Sequence, residues 1–415
     1  MAGSGSSRRR VLVVSADVPW PPDGGGRIAS LRVLEALSRH YEVDLLALAD
    51  PNSPLDLTPL ADLCRNVSVV PHPFTFGRHP IRQGLVAARS LIGAEPYRLR
   101  KFRSRELATR LRSWTATTDY DLIHYEQFGV APYRNQHLPA TVMTQNVEAE
   151  MYRRAADIGG WVGRAWARTE ARKLVRREPQ VLAGFDEVFV LADADAELLK
   201  AWGVERVTVV PMPAPVSRPA RDPALDPVML SIGSMSWFGV ADGLQWFHDA
   251  VLPVVRERVP AVEWDLVGPG APAAIRAYGS EVGINVAGYV ADLAPVLQRA
   301  RVAIVPLRVA GGIRMKLLDL MAWGIPAVST SIGARGLTFD DGSGCFRRDD
   351  PDAFAEAVVH LLRDDDAWRR TTDGGRAYLA MNHRPADLDA VMTAGVERAI
   401  EHHNIGPTPE DPRAR

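Results

Sequence analysis

Two glycines, an arginine, a lysine and a carboxylate fall within one short run, Gly311-Gly312-Ile313-Arg314-Met315-Lys316-Leu317-Leu318-Asp319, and Gly324-Ile325-Pro326 closes it ahead of a β-branched run at 327–330. The pattern predicts a helix opened by glycines and ended by Gly-x-Pro. Its start offers free N–H groups and the positive end of a dipole, to which Arg314 and Lys316 add formal charge. On a helical wheel Gly312, Lys316 and Asp319 share one face, while Met315, Leu318 and Ala322 make the apolar stripe. Such a face suits an anionic, hydroxyl-bearing ligand. A glycine turn kept for packing, followed by an exposed Lys316/Asp319 pair worth a few tenths of a kcal/mol, satisfies the same spacing.

A second concentration of chemistry lies earlier. Gly24-Gly25-Gly26-Arg27 stands between an apolar run and a helix, where backbone can approach a phosphate or sugar closely or simply turn tightly. It is neither Gly-x-Gly-x-x-Gly nor a nucleotide-triphosphate loop. Asp121-Leu122-Ile123-His124-Tyr125-Glu126 ends in a carboxylate able to bond a substrate hydroxyl or to sit solvated in a loop, and His124 reads as a buried histidine. Gln145, Asn146 and Glu148 follow the next apolar run.

These groups need a frame, and the chain is long enough to supply one. At 415 residues, 47% hydrophobic and 24% charged, it can fill two ordinary globular domains. Apolar runs at 11–15, 43–48, 66–70, 121–125, 141–144, 187–191 and 207–210 read as short strands separated by helix-length segments. A Pro-rich stretch at 216–227 reads as a stiff connection, after which the pattern restarts with strands at 228–232, 262–267, 284–287, 302–306 and 327–329. The reading is α/β: two Rossmann-like parallel-sheet domains, 9–215 and 226–382, with a helix at about 385–403 packing back on the first and a disordered tail at 404–415. Two such sheets carry ligands beyond their strands' carboxyl ends, so a cleft between them is the expected site.

Forty-nine basic and fifty acidic side chains give a net charge of −1, which leaves no global field for a nucleic-acid partner. Cys64 and Cys345 match no metal-ligand spacing and read as small buried hydrophobes in a reducing compartment. No metal and no cofactor are expected. With no apolar window near membrane-spanning length, the expected location is the cytoplasm.

Gly-Gly-x-Arg-x-Lys-x-Leu-Asp-x-Met-Ala-x-Gly-x-Pro, followed by Gly333-Ala334-Arg335-Gly336-Leu337, resembles the donor-site segment of retaining nucleotide-sugar glycosyltransferases of the fourth sequence family. Further pieces occur in matching order: Pro21 to Arg27, Gln145-Asn146-Val147-Glu148, Ser231 to Trp237, and Gly288-Tyr289-Val290-Ala291-Asp292-Leu293. The resemblance, covering about 11–400, implies the GT-B architecture, a nucleoside diphosphate sugar as co-substrate, and retention at the anomeric carbon. It implies donor contacts from Gly25, Gly26, Arg27, Gly233, Ser234, Tyr289, Val290, Gly311, Gly312, Ile313 and Asp319, acceptor-side contacts from Gln145, Asn146 and Glu148, and catalytic parts for Arg314, Lys316 and Glu126.

Departures from the family pattern are local. Gly311 stands where the first of two spaced glutamates usually does, and Asp319 replaces the second. No Arg or Lys occurs in 231–255, where many relatives hold the diphosphate. Arg314 and Lys316 are therefore expected to carry that charge. Residues 78–112 hold ten basic side chains against Glu95 and Glu106, interleaved with Leu85, Leu91, Leu99 and Phe102. This stretch can bind an anionic membrane surface or an acceptor bearing phosphate or carboxylate, or it can be a solvated helix face. The acceptor itself is not legible; polysaccharide, glycolipid and secondary metabolite all fit. An epimerase or a non-catalytic sugar-nucleotide-binding protein on the same fold would carry similar motifs, whereas an NAD-dependent oxidoreductase lacks its fingerprint here.

Overall fold

Aliphatic and β-branched runs form short strands buried on both faces, the pattern of parallel sheets covered by helices. The computed structural model describes residues 8–22, 24–51, 56–74, 79–157, 160–214, 226–309 and 315–405. The chain divides into two units, Met1–Pro211 with Leu388–Arg415, and Met212–Asp387.

The first unit holds β1 (Arg10–Ser15), β2 (Glu42–Ala49), β3 (Asn66–Pro71), β4 (Leu122–Glu126), β5 (Ala140–Thr144), β6 (Glu187–Val190) and β7 (Val207–Val209). They lie in the order β3-β2-β1-β4-β5-β6-β7, all pairs parallel. In the second unit β8 (Val228–Ile232), β9 (Glu263–Val267), β10 (Ile284–Gly288), β11 (Val302–Val305), β12 (Ala327–Ser329) and β13 (Cys345–Arg347) make a parallel sheet ordered β10-β9-β8-β11-β12-β13. Both orders reverse direction beside their first strand, at β1/β4 and at β8/β11. The crevice at such a reversal, beyond the carboxyl ends, is where this topology binds ligands. Strand β13 was not among the expected strands; Cys345-Phe346-Arg347 is too short and too mixed to stand out, and it is fixed by pairing with β12.

Among the helices that position the first unit's edge and its surface are α1 (Gly25–His40), α2 (Pro80–Ile92), α3 (Tyr97–Lys101), α4 (Glu148–Ala155), α5 (Trp161–Leu182) and α6 (Asp193–Ala201), with the second unit's α7 (Phe238–Trp246) and α8 (Met315–Ala322) and the C-terminal α9 (Pro385–Ile405) further along. Helix α9 docks on the first unit from Leu388 onward. Leu388, Met392, Val396 and Ala399 are buried, Arg39 grips Asp389 at 2.9 and 2.6 Å, and a Cβ on Gly395 would collide with the Phe189 ring. The helix runs past the expected start of the tail at 404; residues 406–415, and the Pro-rich connection at 215–225, lie outside the described residues.

Helix α2 is inside out. Its buried residues are the polar Gln83 and Ser90, because Gln83 donates to Pro73 O at 2.6 Å and accepts from the Tyr97 hydroxyl at 3.0 Å. Ile81, Leu85 and Ile92, one stripe at helical spacing, point outward, Ile81 at 82% and Ile92 at 93% exposure. The exposed face of this part of the basic stretch therefore carries apolar as well as basic side chains. Leu99 and Phe102, by contrast, are core. Both cysteines are free and buried, and burial raises the Cys64 thiol to about 12.

Candidate active site

Three glycine loops make the second unit's carboxyl edge. Gly233 N donates to Val267 O at 2.9 Å, Met235 N to Pro269 O at 2.9 Å, and Gly268 N to Gly288 O at 2.7 Å, which laces together the loops after β8, β9 and β10. Gly268 has φ +145°, and a Cβ there would run into the Gly233 carbonyl, so no side chain fits between these loops. The resulting surface is backbone, with Ser234 Oγ bonded to Ser236 Oγ at 2.8 Å and Tyr289 exposed just beyond Gly288.

Lys316 comes to this surface from α8. A Cβ built on Gly233 would lie 3.8 Å from Lys316 Nζ, so the ammonium stands against the first loop. Met315, Leu317, Leu318, Leu320, Met321 and Ala322 bury the rest of the helix, a wider apolar face than the expected stripe, and leave Lys316 and Asp319 half-buried. Residues Gly311, Gly312, Ile313 and Arg314 lie outside the described residues.

A second basic group arrives by a route the sequence did not announce. Helix α7 begins after the Gly233 loop with no acidic residue in its first turn and no side-chain cap, so its N–H groups and dipole face the edge unneutralised. It presses on the segment after β11 because a side chain on Gly243 would meet the Pro306 carbonyl. That approach lets Arg308 fork onto Asp242 of α7 at 2.9 and 2.7 Å. The fork ties the segment after β11 to α7, and Asp242 compensates the Arg308 charge, which leaves Lys316 as the basic group placed against the Gly233 loop. The signal was an arginine two residues after a strand-ending proline, at the reversal point.

Side chains, not backbone, build the first unit's edge. Glu126 is buried at the end of β4, and both of its oxygens are taken: Oε1 accepts from Ser30 at 3.0 Å and from Gln145 at 2.9 Å, and Oε2 faces His124 Nε2 at 3.1 Å. Gln145 also donates to Gly26 O at 3.0 Å. This corrects two expectations. Glu126 is a buried strand-end carboxylate, not a solvated loop one, and its bonds to Ser30, Gln145 and His124, with that of Gln145 to Gly26, tie it to the α1 N-terminus. The physical reason is that β4 continues through Glu126, so its side chain enters the sheet layer. A Cβ on Gly26 would come within 2.9 Å of Gln145 Oε1, which fixes that glycine. Arg27, expected to reach a diphosphate, is held by Asp17 at 2.7 and 3.2 Å. Gly25 is half-buried at the first turn of α1, and Asn146 is half-buried beyond β5.

Glu148 is likewise buried rather than presented to an acceptor. Its Oε1 pairs with Arg98 Nε at 2.8 Å, and its own N–H, with that of Ala149, is capped by Glu178 at 2.8 and 2.9 Å. Burial, with the Glu148 carboxylate nearby, pushes Glu178 up to about 8. A second inward carboxylate of α5, Glu170, takes the Tyr97 N–H at 2.6 Å. Helix α5 thus caps both α3 and α4 from within. Sequence reading missed it because Glu170 and Glu178 sit among arginines and look solvated. Among the described residues no group of three or more His, Cys, Asp or Glu side chains could hold a metal.

The fold matches solved structures along nearly its whole length. Sucrose-phosphate synthase from Thermosynechococcus elongatus aligns with TM-score 0.68 at 17% identity, covering 93% of this chain and 98% of that one. HepE from Anabaena in complex with UDP-glucose gives 0.62 at 11% over 93% and 99%, and WaaG, a glycosyltransferase involved in lipopolysaccharide biosynthesis, 0.59 at 13% over 93% and 98%. A 44.6 kDa uncharacterized protein of the cps region of Klebsiella pneumoniae is 21% identical, over 90% of this chain and 96% of its own length. Paired Rossmann-like parallel sheets are the GT-B architecture, and the chain shares that fold with these structures. Residues 226–364, which carry the glycine loops, Arg308 and Lys316, match the family described as glycosyl transferases group 1.

Proposed function

We propose that the chain moves a sugar from a nucleoside diphosphate sugar to an acceptor hydroxyl, with the anomeric configuration retained. The carrying observation is the placement of Lys316 Nζ against Gly233, where a backbone surface and the α7 N-terminus meet. An anionic leaving group meets donors there that strengthen as its charge develops. HepE was solved with UDP and with UDP-glucose, which supports a nucleotide sugar as the co-substrate. The bond broken lies between the anomeric carbon and a phosphate oxygen, and the acceptor attacks on the face the diphosphate leaves. No protein nucleophile is required for that geometry.

A thermal-shift panel of UDP-, GDP-, TDP- and ADP-sugars tests the donor half, because a ligand bound only by the native state raises its melting temperature. A shift of several degrees with one of them is expected. No shift with any at millimolar concentration removes the reading.

The outward stripe of α2 supports peripheral attachment to the inner face of an anionic membrane. Ile81, Leu85 and Ile92 are flanked by Arg82 and Arg89, and Trp161, 76% exposed, opens α5. Apolar area beside arginine suits the lipid headgroup boundary. Among the described residues no helix is long and apolar enough to cross a membrane. Wild-type protein is expected to float with anionic vesicles and not with neutral ones, and Ile81→Asp with Ile92→Asp to stay in the soluble fraction.

A further inference from the structure

Lys101 is the odd group on the first unit's carboxyl edge. It ends α3, a short helix locked from several sides: Glu170 caps Tyr97 N, Glu148 holds Arg98, Leu99 is core, and His72 Nε2 bonds Lys101 O at 2.9 Å. The side chain has little freedom. Its ammonium lies over Phe102, 5.2 Å from the ring centroid, and 6.0 Å from that of Phe74. Among the described residues it makes no hydrogen bond and no ion pair.

Acids are close, but they are committed. Asp17 and Glu148 act on Lys101 electrostatically together with Arg98, yet Asp17 is forked by Arg27 and Glu148 is paired with Arg98. Two carboxylates and two guanidinium groups cancel, which leaves one uncompensated positive charge. Three N–H donors half withdrawn from water without an acceptor destabilise the fold. Burial and Arg98 accordingly lower the Lys101 amine to about 8. A largely buried ammonium with ring contacts but no hydrogen-bond acceptor is a candidate for ligand binding. Its neighbours give the direction: Asp17 follows β1, Phe74 follows β3 and Glu148 follows β5, so the ammonium stands at the ligand-binding end of the sheet.

We infer that Lys101 anchors an anionic group, phosphate or carboxylate, on the sugar acceptor. The inference rests on the glycosyltransferase reading for the word acceptor, and on the first unit alone for the site. It divides the basic stretch between two tasks. The outward arginines beside α2 meet a surface, and the inward Lys101 meets a ligand.

The test uses glucose 6-phosphate, glucuronate and glucose as probes on the full chain. Lys101 is labelled with acetic anhydride at pH 8 and followed by peptide mass spectrometry, with exposed Lys200 of α6 as the internal reference. Glucose 6-phosphate or glucuronate is expected to slow Lys101 labelling at least threefold and to leave Lys200 unchanged, whereas glucose protects neither; which charged probe protects tells phosphate from carboxylate. Lys101→Met, which keeps the apolar stem, is expected to melt higher than wild type without ligand, and Lys101→Arg to keep charged-sugar binding that Lys101→Met loses. Equal labelling with and without both charged sugars overturns the inference, as does undiminished charged-sugar binding by folded Lys101→Met. Failure of the donor reading shows separately, as a nucleotide-sugar panel that moves neither wild type nor Lys101→Met.

Discussion

The two sheets share one strand order but finish their carboxyl edges in opposite ways. In the second unit the edge is glycine backbone, with Gly233, Gly268 and Gly288 laced together and Lys316 and Arg308 brought in from other elements. In the first unit it is a lattice of buried side chains, in which Glu126, Gln145, Ser30 and His124 fix α1, and Glu148, Glu170 and Glu178 fix α3 and α4. The difference teaches where each edge spends its polarity. On the proposed reading, backbone N–H groups and Lys316 serve an anion that gains charge during reaction, whereas internally satisfied carboxylates set shape and leave few groups over for a ligand.

The comparison is most sharply broken at Lys316. If the second edge is the electrostatic one, Lys316→Ala lowers kcat/KM by about 10²- to 10³-fold, the scale for losing one donor to developing charge, while Lys200→Gln leaves it within twofold. Nucleotide release from the donor found by the thermal-shift panel reads both. Equal activity in the two variants would return Lys316 to a packing role.

Gly268 tests the backbone half of the same claim through stability. A Cβ there meets the Gly233 carbonyl, a neighbour that cannot give way, and the positive φ adds strain. Gly268→Ala is expected to cost about 3 kcal/mol by denaturant unfolding and to abolish the nucleotide-induced thermal shift. Gly24→Ala, where nothing lies within 4 Å of the added carbon, should cost under about 1 kcal/mol. Comparable losses would mean that the laced loops are not a rigid platform.

Glu126 carries the corresponding test on the first edge. Removing it leaves Ser30, Gln145 and His124 facing a void, so Glu126→Ala is expected to destabilise by about 2 kcal/mol and to lower turnover through a displaced α1 N-terminus. Glu126→Gln keeps the shape and an acceptor for Ser30, and should recover most of both. A residue acting on substrate would instead lose turnover in Glu126→Gln with stability intact.

Much of this frame was readable in advance, for definite reasons. Strands such as 228–232 and 327–329 are apolar runs bounded by polar or turn residues, and a buried parallel strand has to look like that. Gly233 and Lys316 could be singled out because close backbone approach demands glycine and an anion demands charge, and the structure brings the two together. What stayed hidden was pairing across sequence. Arg308 acts beside Asp242, sixty-six positions away, Glu126 faces inward because its strand runs one residue longer than the apolar pattern, and Glu170 and Glu178 are buried although arginines surround them in the chain. The direction in which a charged side chain points is decided by tertiary packing, which no local pattern records.

The pH dependence of stability tests the first edge by itself. Glu178 is held up to about 8 by burial, then by Glu148, against an unfolded value near 4.5. The native state therefore binds more protons than the unfolded chain between those values, and stability falls as pH rises through that window. Lys101 runs the other way. Its native value near 8 lies below the unfolded 10.5, so the unfolded chain binds more protons above pH 8 and stability rises there. The first unit thus predicts a minimum of stability near pH 8, with stability decreasing before it and recovering after it. Glu178→Gln should flatten the limb between about 4.5 and 8 while leaving the upper one, and Lys101→Met should do the reverse. Chemical denaturation at half-unit pH steps reads both limbs. A profile unchanged by either variant would mean that these charges are solvated, and that the first edge is no more internally bonded than the second.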